Sequence, residues 1–600
     1  MYPLSGRNRV VGGANPERYT AAHQTYRSPN GLSSRVSFGD FEADLRAGEL
    51  WRSGTKIPLQ RQPFQVLAAL LERPGQLITR DELRQVVWGG NTFVDFERGL
   101  NKAINRLRAA LRDAAENPAF IETLARRGYR FLGSVRRTID SIAVLPFVNL
   151  SPNLHHDFWA ESVTDELITR LAAIQSLRVI SRTSCAQVKL GTMPLAEVAR
   201  RLGVEAIVEG SVTVKGRAIR IRAQLIQAPQ DRLLWAASYV RNLADVLKLQ
   251  DQMVRDIAVQ VGVRLASDAV YEPEKMATYR AYLRGRYFWN KRSPADLKKA
   301  IKHFQKAVTL DPKFAQAHIG LADGYVLLGI LGLLPPHDVF PKARAAVAAA
   351  LKLDQSLAEA RATLGHILMA YDWDWGGAER EFKNALGLNP NCSAAHLWYG
   401  NLLTILRRHE EATDEVIKAR DLDPLSISVN ALLGFVYMRA HRYNLATRAC
   451  KDAIELDPNN PFGHWILARV FDAQHELQKA LIESRKAVDL SRSELPFFAH
   501  LGYALARRRK RGAARKIIMQ LVKGSGKRYV SPYLIALIYT ALDERDSAFK
   551  WLEKACSERT ARLTELGDPP FDRLRPDHRF RKLAHRVGIS DLASAQQPPS

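Results

Sequence analysis

The sequence predicts a multidomain protein in which a small α+β domain and an α/β domain precede an all-α superhelix. Its 600 residues are more than a single hydrophobic core normally serves. Short strand and helix patterns alternate over residues 35–135, and longer strand patterns mark residues 138–270. Over residues 275–590 a helical pattern recurs about every 34 residues.

The composition favours a polyanionic partner. The net charge of +26 attracts phosphates, because neutralising them with Lys and Arg releases counterions. A solvated basic surface without a specific partner is the alternative. The four cysteines form no C-x-x-C pair, so we expect no metal and no cofactor. The sequence has neither an apolar run of about 18 residues nor a signal-peptide core, which predicts a cytoplasmic protein without a membrane span.

The chain begins with a segment of low order, followed by short strands. Residues 1–34 are rich in Gly, Ser, Asn, Pro and Arg, which predicts a disordered tail and no receiver-type domain before the α+β domain. Three strands are then predicted at residues 36–38, 41–43 and 57–59, with turns at the intervening glycines.

Three helices and a hairpin complete the α+β domain. The first helix covers residues 64–72, and the second opens at Thr79, which forms a capping box with Glu82. The third covers residues 95–112, and a hairpin follows at residues 121–132. This order of elements predicts a winged helix-turn-helix.

The third helix has one apolar and one polar face when it is drawn at 100° per residue. Leu100, Ile104 and Leu107 gather on the apolar face. Arg, Lys and Asn on the polar face are the side chains that bind phosphate oxygens and base edges in the major groove. A solvated amphipathic helix would show the same pattern. The candidate DNA-binding residues here are Arg98, Asn101, Lys102 and Asn105, with Arg106 and Arg108 on the flanks.

These segments resemble the OmpR-type effector domain, in particular that of CadC- and ToxR-like regulators. The resemblance lies in residues 74–83, 87–88, 104–111, 121–123 and 127–131, and it spans about 100 residues in order and spacing. It implies that the third helix reads the major groove and that the hairpin is a wing against the DNA backbone. By the same resemblance, the wing contacts are Thr123, Arg126, Arg127 and Tyr129.

The resemblance also implies RNA polymerase as a partner. The loop that touches it would hold Trp88, Gly89, Gly90 and Asn91. Asn105 and Ala125 stand where many members of the family carry basic residues, so the base preference does not carry over. Residues 133–141 pass directly into the next domain, without the transmembrane helix of CadC-like members.

Residues 138–270 have the pattern of a compact α/β domain. Residues 142–151, 203–212 and 233–236 resemble the TolB-like domain, which implies association or ligand sensing and brings no catalytic residue. Strands are predicted at 141–147, 178–181, 206–214, 218–226 and 233–239, and helices at 163–174, 194–202 and 243–265.

The helical pattern from residue 275 is typical of tetratricopeptide repeats. The leucine that ends each second helix recurs at intervals of 43, 35, 34, 34 and 34 residues. We predict about eight helix pairs, closed by a polar cap at residues 569–581. Stacked pairs form a superhelix whose concave face binds a protein or peptide. The leucines are Leu310, Leu353, Leu388, Leu422, Leu456 and Leu490.

These domains together predict a sequence-specific, DNA-binding transcription regulator. Its TolB-like and repeat domains would sense a ligand or protein partner, and a homodimer on DNA is one arrangement. The alternative is a tetratricopeptide scaffold that uses the winged helix for protein contacts. The sequence holds no P-loop, dinucleotide, zinc-protease or nucleophile-elbow motif, so we predict no catalytic residues and no enzymatic activity.

Overall fold

The computed structural model describes residues 35–589, apart from 46, 89–95, 138, 152–156, 189–192, 264–275, 292, 492–493 and 527. The predicted tail at residues 1–34 therefore lies outside the described residues. The chain divides into two compact units, Met1–Asp140 and Ser141–Ser600. The α/β domain and the repeats thus belong to the same unit.

The first unit combines antiparallel sheets with helices. One sheet has the order β4-β3-β2-β1-β8 and the other the order β5-β7-β6. Its helices are α1 (Arg61–Glu72), α2 (Arg80–Trp88) and α3 (Phe96–Leu111). Its strands are β1 (Arg35–Phe38), β2 (Phe41–Asp44), β3 (Glu49–Arg52), β4 (Thr55–Ile57), β5 (Leu77–Thr79), β6 (Ile121–Leu124), β7 (Gly128–Phe131) and β8 (Val135–Arg137).

The core of this unit confirms the predicted winged-helix fold. Leu67 of α1 and Leu107 of α3 are fully buried in it. The rings of Phe38 and Phe131 meet edge to face, with centroids 5.2 Å apart, and join the two sheets. Strand β3 was not predicted, because Leu50 is its only fully buried side chain and gives no visible alternation.

The second unit begins with a mixed sheet that runs from β11 to β14 without closing in the described residues. Its order is β11-β9-β12-β13-β14, and β10 pairs with β12. The pairs of β9 with β11 and with β12 are parallel, and those of β13 are antiparallel. The elements are β9 (Ser141–Val144), β10 (Val148–Asn149), α4 (Asp157–Ala172), β11 (Arg178–Val179), α5 (Arg182–Gln187), α6 (Leu195–Leu202), β12 (Ala206–Lys215), β13 (Ala218–Gln227), β14 (Arg232–Asn242) and α7 (Val246–Val261).

The remainder confirms the tetratricopeptide-like array, with eight helix pairs in the described ranges. Each of the six predicted leucines ends the second helix of a pair. The first helices are α8 (Met276–Asn290), α10 (Ala315–Ile330), α12 (Ala358–Ile367), α14 (Ser393–Ile405), α16 (Ile427–Arg439), α18 (Pro461–Ala473), α20 (Leu495–Arg507) and α22 (Pro532–Ala541). The second helices are α9 (Pro294–Leu310), α11 (Pro336–Leu353), α13 (Trp375–Leu388), α15 (His409–Leu422), α17 (Tyr443–Leu456), α19 (Leu477–Leu490), α21 (Arg511–Gly524) and α23 (Arg545–Ser557).

The first helices from α10 to α22 contact one another in succession and form a continuous surface, here called the first-helix face. Among the helices that the structure describes, none has the length and hydropathy needed to cross a bilayer.

The end of the chain differs from the predicted polar cap. Residues 559–589, here called the C-terminal segment, contain α24 (His578–Val587) and short 3-10 turns. Phe571 and Phe580 are buried in the same core cluster as the helices of the array. The predicted cap is therefore only partly polar, because Phe571 and Phe580 enter the core while Asp572, Arg573 and Arg581 are exposed.

The α/β domain is joined to the array by side-chain hydrogen bonds. The side chain of Asn391 donates to the carbonyl oxygens of Ala172 and Leu177 at 3.0 and 2.9 Å. The hydroxyl of Ser184 donates to the buried carboxylate of Asp423 at 2.5 Å. Both partners from the array lie in the loops between consecutive helix pairs, so these loops fix the domain on the array.

Candidate nucleic-acid interface

Helix α3 presents its polar side to solvent because its apolar side is anchored in the core. Leu100, Ile104 and Leu111 are at most 2% exposed. An open surface runs along the opposite side of the helix. The side chains that line it are Glu97, Arg98, Asn101, Lys102, Asn105, Arg106 and Ala109. Five of the predicted contact residues therefore lie on one accessible face.

Arg106 is held at one edge of this face. Its guanidinium donates a hydrogen bond to the side-chain oxygen of Gln60, which precedes α1. Both side chains are exposed, and the pair restricts the arginine without burying it. Arg106 stays accessible to a ligand on the α3 surface.

Arg108 points into the protein, which corrects its predicted role in binding DNA. The residue is 9% exposed. Its guanidinium donates to the backbone oxygen of Ile121 at 2.7 Å and to the hydroxyl of Thr123 at 2.8 Å. Arg108 lies four residues after Ile104 and therefore shares the buried side of α3, against which the hairpin packs. It therefore fixes β6 to α3.

Asp113 is a second link between α3 and the hairpin, and the sequence analysis missed it. This buried carboxylate accepts hydrogen bonds from the backbone N–H groups of Ala119 and Ile121 at 2.6 and 2.8 Å. The available signal was its place directly after the helix, where an acidic side chain can satisfy the amides of the next strand.

Tyr129 is also internal, which corrects its prediction as a wing contact. It is 2% exposed, and this burial raises the pKa of its phenol. Its hydroxyl donates to Asn101 at 3.2 Å and accepts a hydrogen bond from Arg80 at 3.2 Å. Arg80 also pairs with Glu97, which offsets an acidic charge at the start of α3. Tyr129 thus orients Asn101 within the polar face.

The wing is the β6–β7 hairpin with Arg126 and Arg127 exposed at its tip. Gly128 starts β7 with φ +154°, and a Cβ atom there would lie 2.0 Å from the backbone oxygen of Ile78 in β5. The glycine therefore permits the close pairing of β7 with β5. Thr123 is exposed on β6 and accepts the hydrogen bond from Arg108.

The start of α2 confirms the predicted capping box. The Thr79 hydroxyl accepts from the backbone N–H of Glu82 at 3.2 Å, and the Glu82 carboxylate accepts from the N–H of Thr79 at 2.8 Å. The backbone hydrogen bond from Thr79 lowers the pKa of Glu82. This cap satisfies two backbone N–H groups at the start of α2.

The predicted polymerase loop is described only at its first residue. Trp88 ends α2 and is half-buried, and its ring meets Phe96 edge to face with centroids 5.3 Å apart. Gly89, Gly90 and Asn91 lie outside the described residues. The ring contact connects the end of α2 to the beginning of α3.

Comparison with known proteins bears on this geometry. Residues 54–131 match the family model described as "Transcriptional regulatory protein, C terminal". The transcriptional regulator HilA of Salmonella typhimurium is 24% identical over 407 residues, which are 65% of this chain and 71% of HilA. The residues that match the family model contain α3 and the wing. The chain is a DNA-binding transcriptional regulator.

Other relatives of the regulator match shorter stretches. The DNA-binding response regulator MtrA of Mycolicibacterium smegmatis is 36% identical over 104 residues, 17% of the regulator and 45% of MtrA. A protein of Rhizobium meliloti named putative adenylate cyclase 3 is 32% identical over 187 residues. These are 30% of the regulator and 32% of that protein, so the regulator spans about a third of this relative.

The α/β domain of the regulator has its own match. Residues 138–259 match the model described as "HilA/YgeH-like transcriptional regulator, second domain". The open mixed sheet agrees with the predicted α/β architecture. The resemblance to the TolB-like domain is not confirmed.

Proposed function

We propose that the regulator binds a specific duplex site with α3 in the major groove and the wing tip against the adjacent backbone. The observation that carries this proposal is the accessible α3 face, whose apolar side is buried in the core. Cationic and amide side chains suit phosphate oxygens and the edges of G and A. The proposed contacts are Arg98, Asn101, Lys102, Asn105 and Arg106 on α3, and Thr123, Arg126 and Arg127 on the wing.

The proposal gives the second unit a sensing role. A protein partner binds the array, and the hydrogen bonds of Asn391 and Ser184 carry the effect into the α/β domain. RNA polymerase touches the loop after Trp88, and two copies occupy paired half-sites on DNA. These assignments extend the regulatory function to its partners.

Salt-dependent binding tests the DNA contacts. Each phosphate contact contributes about 0.9 to the slope of log affinity against log salt. We expect Lys102→Ala to reduce the magnitude of that slope by about 0.9, the value of one phosphate contact, on a duplex selected from random sequences. If Arg106 contacts a base, Arg106→Ala should cost about 1–3 kcal/mol on the selected duplex and less on a scrambled one.

Matched controls lie on α7 of the second unit. Lys248→Ala and Arg255→Ala remove exposed cations of the same types from a helix outside the winged-helix domain. They should leave the slope and the affinity unchanged. Equal losses in the two pairs of variants would show a non-specific charge effect and contradict the proposal.

A further inference from the structure

The C-terminal segment lies across the first-helix face instead of continuing the array. The guanidinium of Arg559 donates to the backbone oxygen of Tyr371 at 3.0 Å, and the indole of Trp375 donates to that of Gly588 at 2.9 Å. The turn Pro569–Leu574 packs on α22. The segment therefore touches both the third and the eighth helix pairs.

A cluster of arginines and two carboxylates fixes residues 565–568 of the segment. Asp568 pairs with Arg439 at 2.5 Å and with Arg469 at 2.7 Å, and Glu565 pairs with Arg469 at 3.1 Å. The side chains of both arginines are less than 10% exposed, and that of Asp568 is 3% exposed. The array supplies Arg439 from α16 and Arg469 from α18. The segment supplies both carboxylates and also Arg562, which pairs with Glu565 at 3.0 Å.

Arg439 and Arg469 are oriented by the array itself. Both guanidinium groups lie against the ring of Phe435, at 4.4 and 4.6 Å from its centroid. Arg469 also lies 5.1 Å from the ring centroid of Trp465. Aromatic rings orient a guanidinium group and leave its N–H groups directed at an acceptor. Because unpaired buried charges are costly, this site requires carboxylates.

We propose that this arginine pair is a peptide-binding site that the C-terminal segment occupies internally. Its external ligand is a partner protein's peptide with two carboxylates three residues apart, as in Glu565 and Asp568, followed by an aromatic residue in the position of Phe571. Phe571 is fully buried, so the aromatic residue adds apolar contact to the ion pairs. The inference rests on the proposed protein-binding role of the array and gives that partner its chemistry.

Competition between the segment and an added peptide tests this proposal in the full chain. The probe is a fluorescent peptide with the sequence of residues 563–574. The chain variant carries Glu565→Gln and Asp568→Asn, which weaken the internal occupant and keep both arginines. A site blocked by an internal occupant shows an apparent affinity reduced by the fraction blocked. We therefore expect the probe to bind the variant at least about tenfold more tightly than the wild type.

Two controls make the result specific. The chain variant Glu455→Gln with Asp489→Asn removes exposed carboxylates elsewhere on the array and should bind the probe like the wild type. A probe with both of its matching carboxylates changed to amides should lose binding to the Glu565→Gln, Asp568→Asn chain. Equal affinity of the original probe for the wild type and this variant, or equal binding of both probes, would overturn the proposal.

A milder variant covers the case in which the double substitution prevents the chain from folding. Arg559→Asn removes the contact with Tyr371 outside the ion cluster, and Asn tolerates the φ of +50° at this position. We expect about a threefold gain in probe affinity, and an unchanged affinity would overturn the proposal. DNA binding has a separate readout in its salt slope, so the two proposals fail independently.

Discussion

At the scale of single residues, Arg106 and Arg108 are two positions apart and differ in exposure. Arg106 is exposed on the polar side of α3, whereas Arg108 is buried and holds the hairpin. Two residues correspond to about 200° of helical rotation, so the two side chains lie on nearly opposite sides of the helix. Their chemical identity does not distinguish a ligand contact from a structural bond.

Substitution of Arg108 should affect stability and leave the ionic contacts with DNA intact. Arg108→Met leaves the oxygen of Ile121 without its charged donor, which costs about 1–3 kcal/mol. We expect faster hydrogen exchange of the β6 amides, measured by mass spectrometry of the full chain, and an unchanged salt slope of DNA binding. Arg106→Met is the matched control and should leave exchange of the β6 amides unchanged while lowering the affinity for the selected duplex. A lower slope for Arg108→Met would return Arg108 to the DNA interface.

At the scale of elements, the wing depends on a close approach between strands. The Cβ position of Gly128 lies 2.0 Å from the oxygen of Ile78, so a larger residue forces β7 away from β5. The hairpin would then lose its fixed position beside α3, since Tyr129 follows directly in β7 and holds Asn101.

Gly128→Ala should therefore weaken both the wing and DNA binding. We expect faster hydrogen exchange across β5 and β7 and a lower affinity for the selected duplex. Gly54→Ala is the control, because Gly54 also has a positive φ, of +80°, but has open space around its Cβ position. It should show only the backbone cost of about 1 kcal/mol. Similar effects of the two substitutions would show that the positive φ, and not the contact with Ile78, accounts for the loss.

The loops between helix pairs are stabilised by the next helix, and they also hold the α/β domain. Six residues after the loop proline, a His or Asn side chain in the next first helix contacts the proline carbonyl and stabilises the loop. The loop itself remains available, and Asn391 uses it to hold the α/β domain. The contacts are His318 with Pro312, His396 with Pro390, Asn430 with Pro424 and His464 with Pro458, at 2.9, 3.0, 3.0 and 3.4 Å.

Removing the Asn391 side chain should loosen the α/β domain on the array. Asn391→Ala leaves the carbonyl groups at the end of α4 without their donor, so we expect faster hydrogen exchange in residues 172–185. Asn459→Ala is the matched control, because Asn459 also follows the loop proline but is exposed. It should leave exchange in residues 172–185 unchanged. Equal exchange in both variants would show that Asn391 does not hold the joint.

At the scale of the whole molecule, buried histidines make the stability of the array depend on pH. Burial lowers the pKa of His366 and of His500 to about 3, from 6.5. His366 stacks on Trp398 with ring centroids 3.9 Å apart. Below pH 6.5 the unfolded chain binds protons at these positions, and the folded chain does not until about pH 3. The part of the unfolding free energy that depends on these two histidines is therefore fully present above pH 6.5 and is lost as the pH falls towards 3.

We expect His366→Phe to remove part of this pH dependence. A single such histidine contributes about 1.4 kcal/mol per pH unit, or about 2 kcal/mol between pH 6.5 and 5. Urea unfolding at pH 7 and pH 5, followed by tryptophan fluorescence, measures the difference between the variant and the wild type. His337→Phe, at a side chain that is 62% exposed, should leave the pH dependence unchanged. Identical pH dependence in His366→Phe and the wild type would contradict the assignment.

The sequence by itself determined the local and periodic features of this protein. The apolar face of α3, the Thr79 capping box and the leucines that end the second helices are all confirmed. These features depend on residues within a few positions of one another, or on a repeat that presents the same pattern many times. Sequence periodicity reports such features directly.

The tertiary structure alone decided which surfaces remain free. It placed Arg108 and Tyr129 inside the winged-helix domain, and it laid the C-terminal segment on the first-helix face. The partners in these contacts are 13 to 213 residues apart along the chain. A helical period states which side of an element is apolar, but the element that covers its polar side depends on how distant segments pack.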